Sequence, residues 1–74
     1  MAGIVISTSV SHNLAVQAAE GVRQVAVATA AGNRSAINSA EVTFYRTIVR
    51  SGIANNVGVS GAMQALRELG VTGL

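Results

Sequence analysis

The chain offers very few of the large side chains from which small proteins build a hydrophobic core. Half of its 74 residues are apolar, but most of these are Ala and Val, and Phe44 and Tyr45 are the only aromatic residues. A domain of this size buries a modest share of its surface, and short side chains add little buried area each. The sequence therefore predicts a thin core that needs support from elsewhere.

Three devices commonly stabilise such small domains: disulfides, a bound metal ion and association with further chains. The sequence contains no Cys, which excludes disulfides and thiolate ligands. His12 is the sole His, so one chain cannot assemble a cluster of imidazole ligands. We therefore expect no metal and no cofactor, and we expect oligomerisation to complete the fold.

The charged residues are sparse, and each sign is represented by one residue type. All basic residues are Arg and all acidic residues are Glu, with a formal net charge of +2. Arg is enriched and Lys is depleted at the cores of protein interfaces, which favours a surface used for contacts. A coding bias towards GC-rich codons would favour the same residues and is the alternative explanation. Glu20 and Arg23 are spaced to pair on one helix.

Apolar residues recur at intervals of three and four, which predicts a first helix over about residues 10–31. Gly32 and Asn33 supply the left-handed backbone that ends it. A second track, of small residues, lies beside the apolar stripe and would let another helix approach closely. The apolar stripe is Val10, Leu14, Ala18, Val22, Val25 and Thr29, and the small track is Ala15, Ala19, Ala26 and Ala30.

The segment before this helix, Gly3 to Val10, has a different character. It is rich in β-branched residues and partly alternating, which predicts a short extended segment, or else a helix whose start is delayed by the hydroxyl residues. Such an arm could add a strand to a neighbouring chain.

A second helix is predicted over about residues 35–51. It would begin at Ser35, or at Asn38, which stands in capping-box spacing with Glu41. The pair Ser51–Gly52 would stop or kink it.

A third helix is predicted over about residues 60–69. Ser60 is its candidate N-cap, and Gly70 ends it with Val71 placed for a Schellman close. The sequence therefore predicts an all-α fold of two or three helices within a single domain, 1–74.

The sequence holds little from which to build a catalytic site. Acid–base and nucleophilic catalysis need paired carboxylates or a His held beside a nucleophile. His12 neighbours Ser11 but no Asp exists to orient its ring, so we expect it to face solvent or to lie at the start of a helix. The glycines near Gly58 do not fit a phosphate-binding loop. We expect neither enzymatic activity nor a small-molecule substrate.

The segment Ile53–Gly70 resembles the helix-turn-helix of bacterial regulators. The resemblance implies that Ala54 packs at the helix crossing, that Gly58 makes the turn and that Ser60 opens a DNA-reading helix. The sequence departs from the family by placing a polar residue where an apolar one is expected, five positions after Val59. The residues that would contact DNA are Gln64 and Arg67, beside Gly61.

Three functional hypotheses follow. The first is a non-enzymatic structural protein that assembles with copies of itself into a filament, tube or shell of bacterial or phage type. The second is a DNA-binding module, and the third a membrane-active or peripheral peptide. The third has little support, because no stretch of about 18 residues is free of polar interruption and the aromatic belt is missing.

The candidate contacts between subunits come from the first two predicted helices. Phe44 lies off the apolar stripe of the second helix, and with the pair Arg46 and Arg50 it is the preferred contact. Spacing alone leaves open which residues close the subunit and which join subunits. The candidates are Leu14, Val22 and Val25 of the first helix, Val42, Tyr45, Ile48 and Val49 of the second, and Phe44, Arg46 and Arg50.

The first 19 residues do not read as a secretion signal. They lack a charged start, and polar residues interrupt their apolar stretch. The sequence therefore predicts the cytoplasm, or a particle assembled there.

Overall fold

The structure, a computed structural model, describes the backbone of residues 2–73 and the side chains of residues 10–73. Residues 2–73 form three helices and no strand, which confirms the all-α prediction: α1 (Ala2–Ala30), α2 (Arg34–Asn55) and α3 (Ser60–Glu68). The short connection between α1 and α2 makes them an antiparallel hairpin. Within the described range, α3 packs on α2 and not on α1.

The first helix begins much earlier than its apolar spacing indicates. The segment Gly3 to Val10, predicted to be extended, is helical, so that prediction is wrong. β-branched residues lower helix propensity by less than about 1 kcal/mol each. Extending an existing helix is far easier than starting one, so a long helix continues through residues of weak preference.

The turn between α1 and α2 is built by three residues. Ala31 and Gly32 adopt left-handed backbone, with φ of 49° and 84°, at the place where the sequence predicts the end of α1. Asn33 is the N-cap of α2, and its Oδ1 accepts a hydrogen bond from the Ala36 amide at 3.0 Å. Neither Ser35 nor Asn38 is the N-cap of α2, because the helix already begins at Arg34 and Asn33 accepts the hydrogen bond from the Ala36 amide.

The second helix continues past the pair that was expected to break it. It runs through Ser51–Gly52 to Asn55, and Asn56 then takes left-handed backbone with φ of 56°. The Val57 amide donates to the Gly52 carbonyl at 2.8 Å, which closes the helix. The predicted stop is wrong because Gly52 serves packing: a Cβ there would overlap the Val59 side chain.

The end of α3 matches its local sequence signal. The Gly70 amide donates to the Arg67 carbonyl, and the Val71 amide donates to the Leu66 carbonyl, both at 3.0 Å. With Gly70 at φ of 91°, this is the Schellman close that the sequence predicts. Leu66 is fully buried and fixes α3 to the rest of the chain.

The molecule is elongated and flat, measuring 46 × 26 × 13 Å. Its radius of gyration is 13.6 Å, against about 11 Å for a compact chain of this length. The smallest dimension is close to the diameter of one helix, about 10–12 Å. Among the described side chains, Phe44 and Leu66 are the buried apolar ones. The hairpin is therefore one helix thick, and both of its faces reach solvent.

Replacement of Gly52 by Ala tests the close approach of α2 to the segment before α3. The added Cβ would overlap Val59 and lie 3.0 Å from the Val57 carbonyl oxygen. We expect Gly52→Ala to lower the free energy of unfolding by about 1–3 kcal/mol. Gly61→Ala is the control, because a Cβ there meets nothing within 4 Å. Urea denaturation at one protein concentration measures both, and equal midpoints would contradict the packing role of Gly52.

Candidate assembly surface

A long groove runs between α1 and α2 on one face of the hairpin, with a volume of about 1050 Å³. Ala, Ser and Thr side chains are too short to fill the space between two helices, so the groove stays open. All four residues of the small track predicted from the sequence line it. The lining includes Ala15, Ala18, Ala19, Val22, Ala26 and Ala30 of α1, and Ala36, Ala40, Thr43, Phe44 and Thr47 of α2.

An apolar stripe lies on the outer side of α1 next to this groove. Leu14, Val22 and Val25 are 60%, 65% and 67% exposed, which is unusual for three large apolar side chains on one helix. Ala18 and Val22 belong both to the stripe and to the groove lining. The stripe and the groove therefore form one continuous apolar surface, the assembly surface.

The opposite flank of α1 is polar. Asn13, Gln17 and Gln24 are exposed there. One side of α1 is therefore apolar and another is polar, although both are exposed to solvent.

A cluster of aromatic and charged side chains lies at the bottom of the groove. The Arg23 guanidinium carbon lies 4.8 Å from the centre of the Phe44 ring, and Phe44 meets Tyr45 edge to face with 5.2 Å between ring centres. Arg23 also forms the expected salt bridge with Glu20. That hydrogen bond raises the pKa of Arg23 above its ordinary value, so the residue remains a cation.

Phe44 is not the exposed contact that the sequence suggested. It is 8% exposed, covered by Arg23 from α1. The reason is that Phe44 lies on the side of α2 that packs against α1, where the Arg23 guanidinium covers its ring. Burial inside the chain leaves Phe44 little surface for a neighbouring chain, so it belongs to the subunit itself.

The other candidate contacts lie nearer the surface. Tyr45 is half-buried, whereas Arg46 and Arg50 are exposed. Arg46 follows Thr43 by three residues, and Arg50 follows Thr47 by three, so both arginines border the α2 side of the groove. The structure thus brings Leu14, Val22 and Val25 into one apolar stripe and places the arginine pair on the opposite rim.

A partly buried polar contact, which sequence analysis did not predict, joins α1 to α2 at the open end of the hairpin. His12 Nδ1 lies 3.0 Å from Ser51 Oγ, and Asn55 Nδ2 donates to the Ser51 carbonyl at 2.8 Å. The expectation that His12 faces solvent is wrong, because His12 lies on the side of α1 that packs against α2. His12 shares the spacing of Ala19, Arg23 and Ala30, and that second stripe was the available signal.

The segment that resembles a helix-turn-helix differs from that motif in its packing. Ala54 is exposed, so it does not pack at a helix crossing; the close contact of this segment is between Gly52 and Val59, which precedes α3. Asn56, and not Gly58, supplies the left-handed turn. Gln64 and Arg67 are exposed one turn apart on α3, where they share a face.

Among the described residues, no three His, Asp or Glu side chains lie close enough together to hold a metal ion. None of the described helices combines the length and the apolar character needed to cross a membrane. No protein-family model matches the chain, and neither a curated protein nor a solved structure matches it significantly.

A double-mutant cycle tests the role of the His12–Ser51 contact. Ser51→Ala leaves a buried ring nitrogen without its partner, and we expect it to cost about 1–3 kcal/mol of unfolding free energy. In a His12→Leu background the same change should cost less than about 0.5 kcal/mol, because the orphaned atom is gone. Urea denaturation measures each variant. The same cost in both backgrounds would show that Ser51 acts through other contacts.

Proposed function

We propose that this chain is a non-enzymatic structural subunit that assembles with copies of itself through the assembly surface. The observation that carries the proposal is the exposed apolar stripe of α1, continuous with the open groove, on a hairpin one helix thick. Such a face leaves a large share of the apolar surface in water, and association would remove it.

The accessible area supports the proposal quantitatively. The chain exposes 4943 Å², whereas a monomeric protein of its mass exposes about 4250 Å². The excess of roughly 700 Å² is close to the ~800 Å² that each partner buries in a stable interface. Covering one such face would therefore bring the exposed area of each chain to that of an ordinary folded protein.

The finer proposal is a homo-oligomeric filament, tube or shell of bacterial or phage type. Its support is the combination of a flat subunit, sparse charge and no Cys, which leaves association as the means of completing a core. Repeated contacts between flat helical hairpins build extended layers or closed particles according to the symmetry of the contact. Negative-stain electron micrographs of the purified protein would distinguish filaments, shells and rings.

A charge substitution in the stripe, with a neighbouring control, tests the assembly surface. We expect Val25→Glu to weaken association at least about 100-fold, because a carboxylate would be buried without a partner in an apolar contact. Gln24→Glu adds the same charge to the next residue, on the polar flank, and should leave association within about threefold. Light scattering after size-exclusion chromatography over a concentration series measures both.

A stable monomer of the unaltered chain at micromolar concentration would contradict the proposal outright. Equal weakening by the two Glu variants would show that the chains meet through another surface. Circular dichroism of each variant checks that helix content is kept.

The second hypothesis, DNA binding by the 53–70 segment, remains a prediction. Its specific support is the exposure of Gln64 and Arg67 on one face of α3. Filter binding to duplex DNA over a salt series tests it, and Arg67→Ala should lower the salt slope by about one if Arg67 contacts a phosphate. Negligible affinity at low salt would remove this hypothesis.

A further inference from the structure

The shape of the assembly surface indicates which partner covers it, and an inference about that partner rests on the function proposed above. We infer that a second copy of the chain covers it across a two-fold axis, with α1 of one copy antiparallel to α1 of the other and Val22 at the axis. Two hairpins packed in this way form a four-helix bundle. The contact is isologous, so the same residues serve both copies.

The position of the axis follows from the groove. Val22 lies midway between Ala15 and Ala30, the first and last α1 residues of the lining. It is also the large side chain that belongs to both the stripe and the groove. A two-fold axis elsewhere along α1 would leave part of the groove uncovered at one end.

Side-chain size alternates along the contact in this register. With Val22 at the axis of an antiparallel pair, Leu14 lies at the same height along the helix axis as Ala30 of the second copy, and Val25 at the same height as Ala19, on the other edge of the contact. The large exposed side chains of one copy are therefore level with small residues of the groove lining of the other. Such alternation lets helices interdigitate without voids or overlap.

Charge favours the same orientation. Arg46 and Arg50 are exposed on the rim of α2, near the open end of the hairpin. An antiparallel pairing of like helices sends these arginines to opposite ends of the dimer, whereas the other face-to-face two-fold arrangement, with α1 over α2, brings the open ends together. The groove lining includes one charged residue, Arg23, which already has Glu20 as its partner. A strongly acidic or basic partner would thus find little to recognise there.

The absence of Cys from the chain makes disulfide trapping a direct test, because each introduced thiol is unique. Under mild oxidation we expect Val22→Cys to form a covalent dimer at least tenfold faster than Gln24→Cys, which places a thiol on the polar flank. Thr43→Cys mixed with Val22→Cys reports the α1-over-α2 arrangement. A mixed dimer that forms faster than the Val22→Cys dimer would overturn the inference.

A second pair of variants tests the register. Ala18 should face Ala26 of the second copy, so a mixture of Ala18→Cys and Ala26→Cys chains should cross-link. Ala18→Cys alone should cross-link slowly, because its two copies would be about 12 Å apart along the helix axis, beyond disulfide reach. Equal rates for the mixture and for Ala18→Cys alone would overturn the register.

Light scattering on the unaltered chain separates this inference from the proposed function. Association without preferential cross-linking at Val22 would leave the structural function standing and overturn the two-fold arrangement. A monomer at all concentrations would overturn both. Dimers or larger multiples of dimers, with rapid trapping at Val22 and between positions 18 and 26, are the expected result.

Discussion

The shortage of side-chain volume between α1 and α2 shapes everything else in this molecule. Two long helices lie side by side, but the residues on one face of their contact are Ala, Ser and Thr, so the space between them stays open as a groove of about 1050 Å³. A third helix that covered this face would complete a core, but α3 packs on α2 without contacting α1. The hairpin is left one helix thick, and its apolar stripe faces water.

Polar contacts supply part of the stabilisation that a larger hydrophobic core would provide. Arg23 reaches from α1 across the Phe44 ring while paired with Glu20, and His12 meets Ser51 nearer the open end. A one-turn slip of α1 along α2 would break the directional His12–Ser51 hydrogen bond and would move Arg23 off the Phe44 ring. They therefore fix the register of the hairpin, which small apolar residues leave loosely specified. The apolar face remains available for contacts between chains.

The proposed two-fold contact would use that face once and close after two copies. Growth into a filament, tube or shell would then need a second surface on the dimer. Ile53 is 68% exposed on α2, at a position outside the assembly surface, and offers apolar area for such a contact. On this view the dimer supplies the stable core, and weaker contacts between dimers decide the form of the assembly.

The sequence by itself determined the features that depend on neighbours within a few residues. The all-α class, the end of α1 at Gly32 and the Schellman close at Gly70 follow from local spacing and from backbone that Gly adopts easily. Tertiary structure alone decided which stripe of α1 meets α2, why Phe44 is buried and why α2 passes through Gly52 without a break. Periodicity divides a helix into faces but does not say which neighbour covers each face. That choice depends on contacts such as that of His12 with Ser51. These residues are 39 positions apart, so the contact cannot be predicted from neighbouring residues in the sequence.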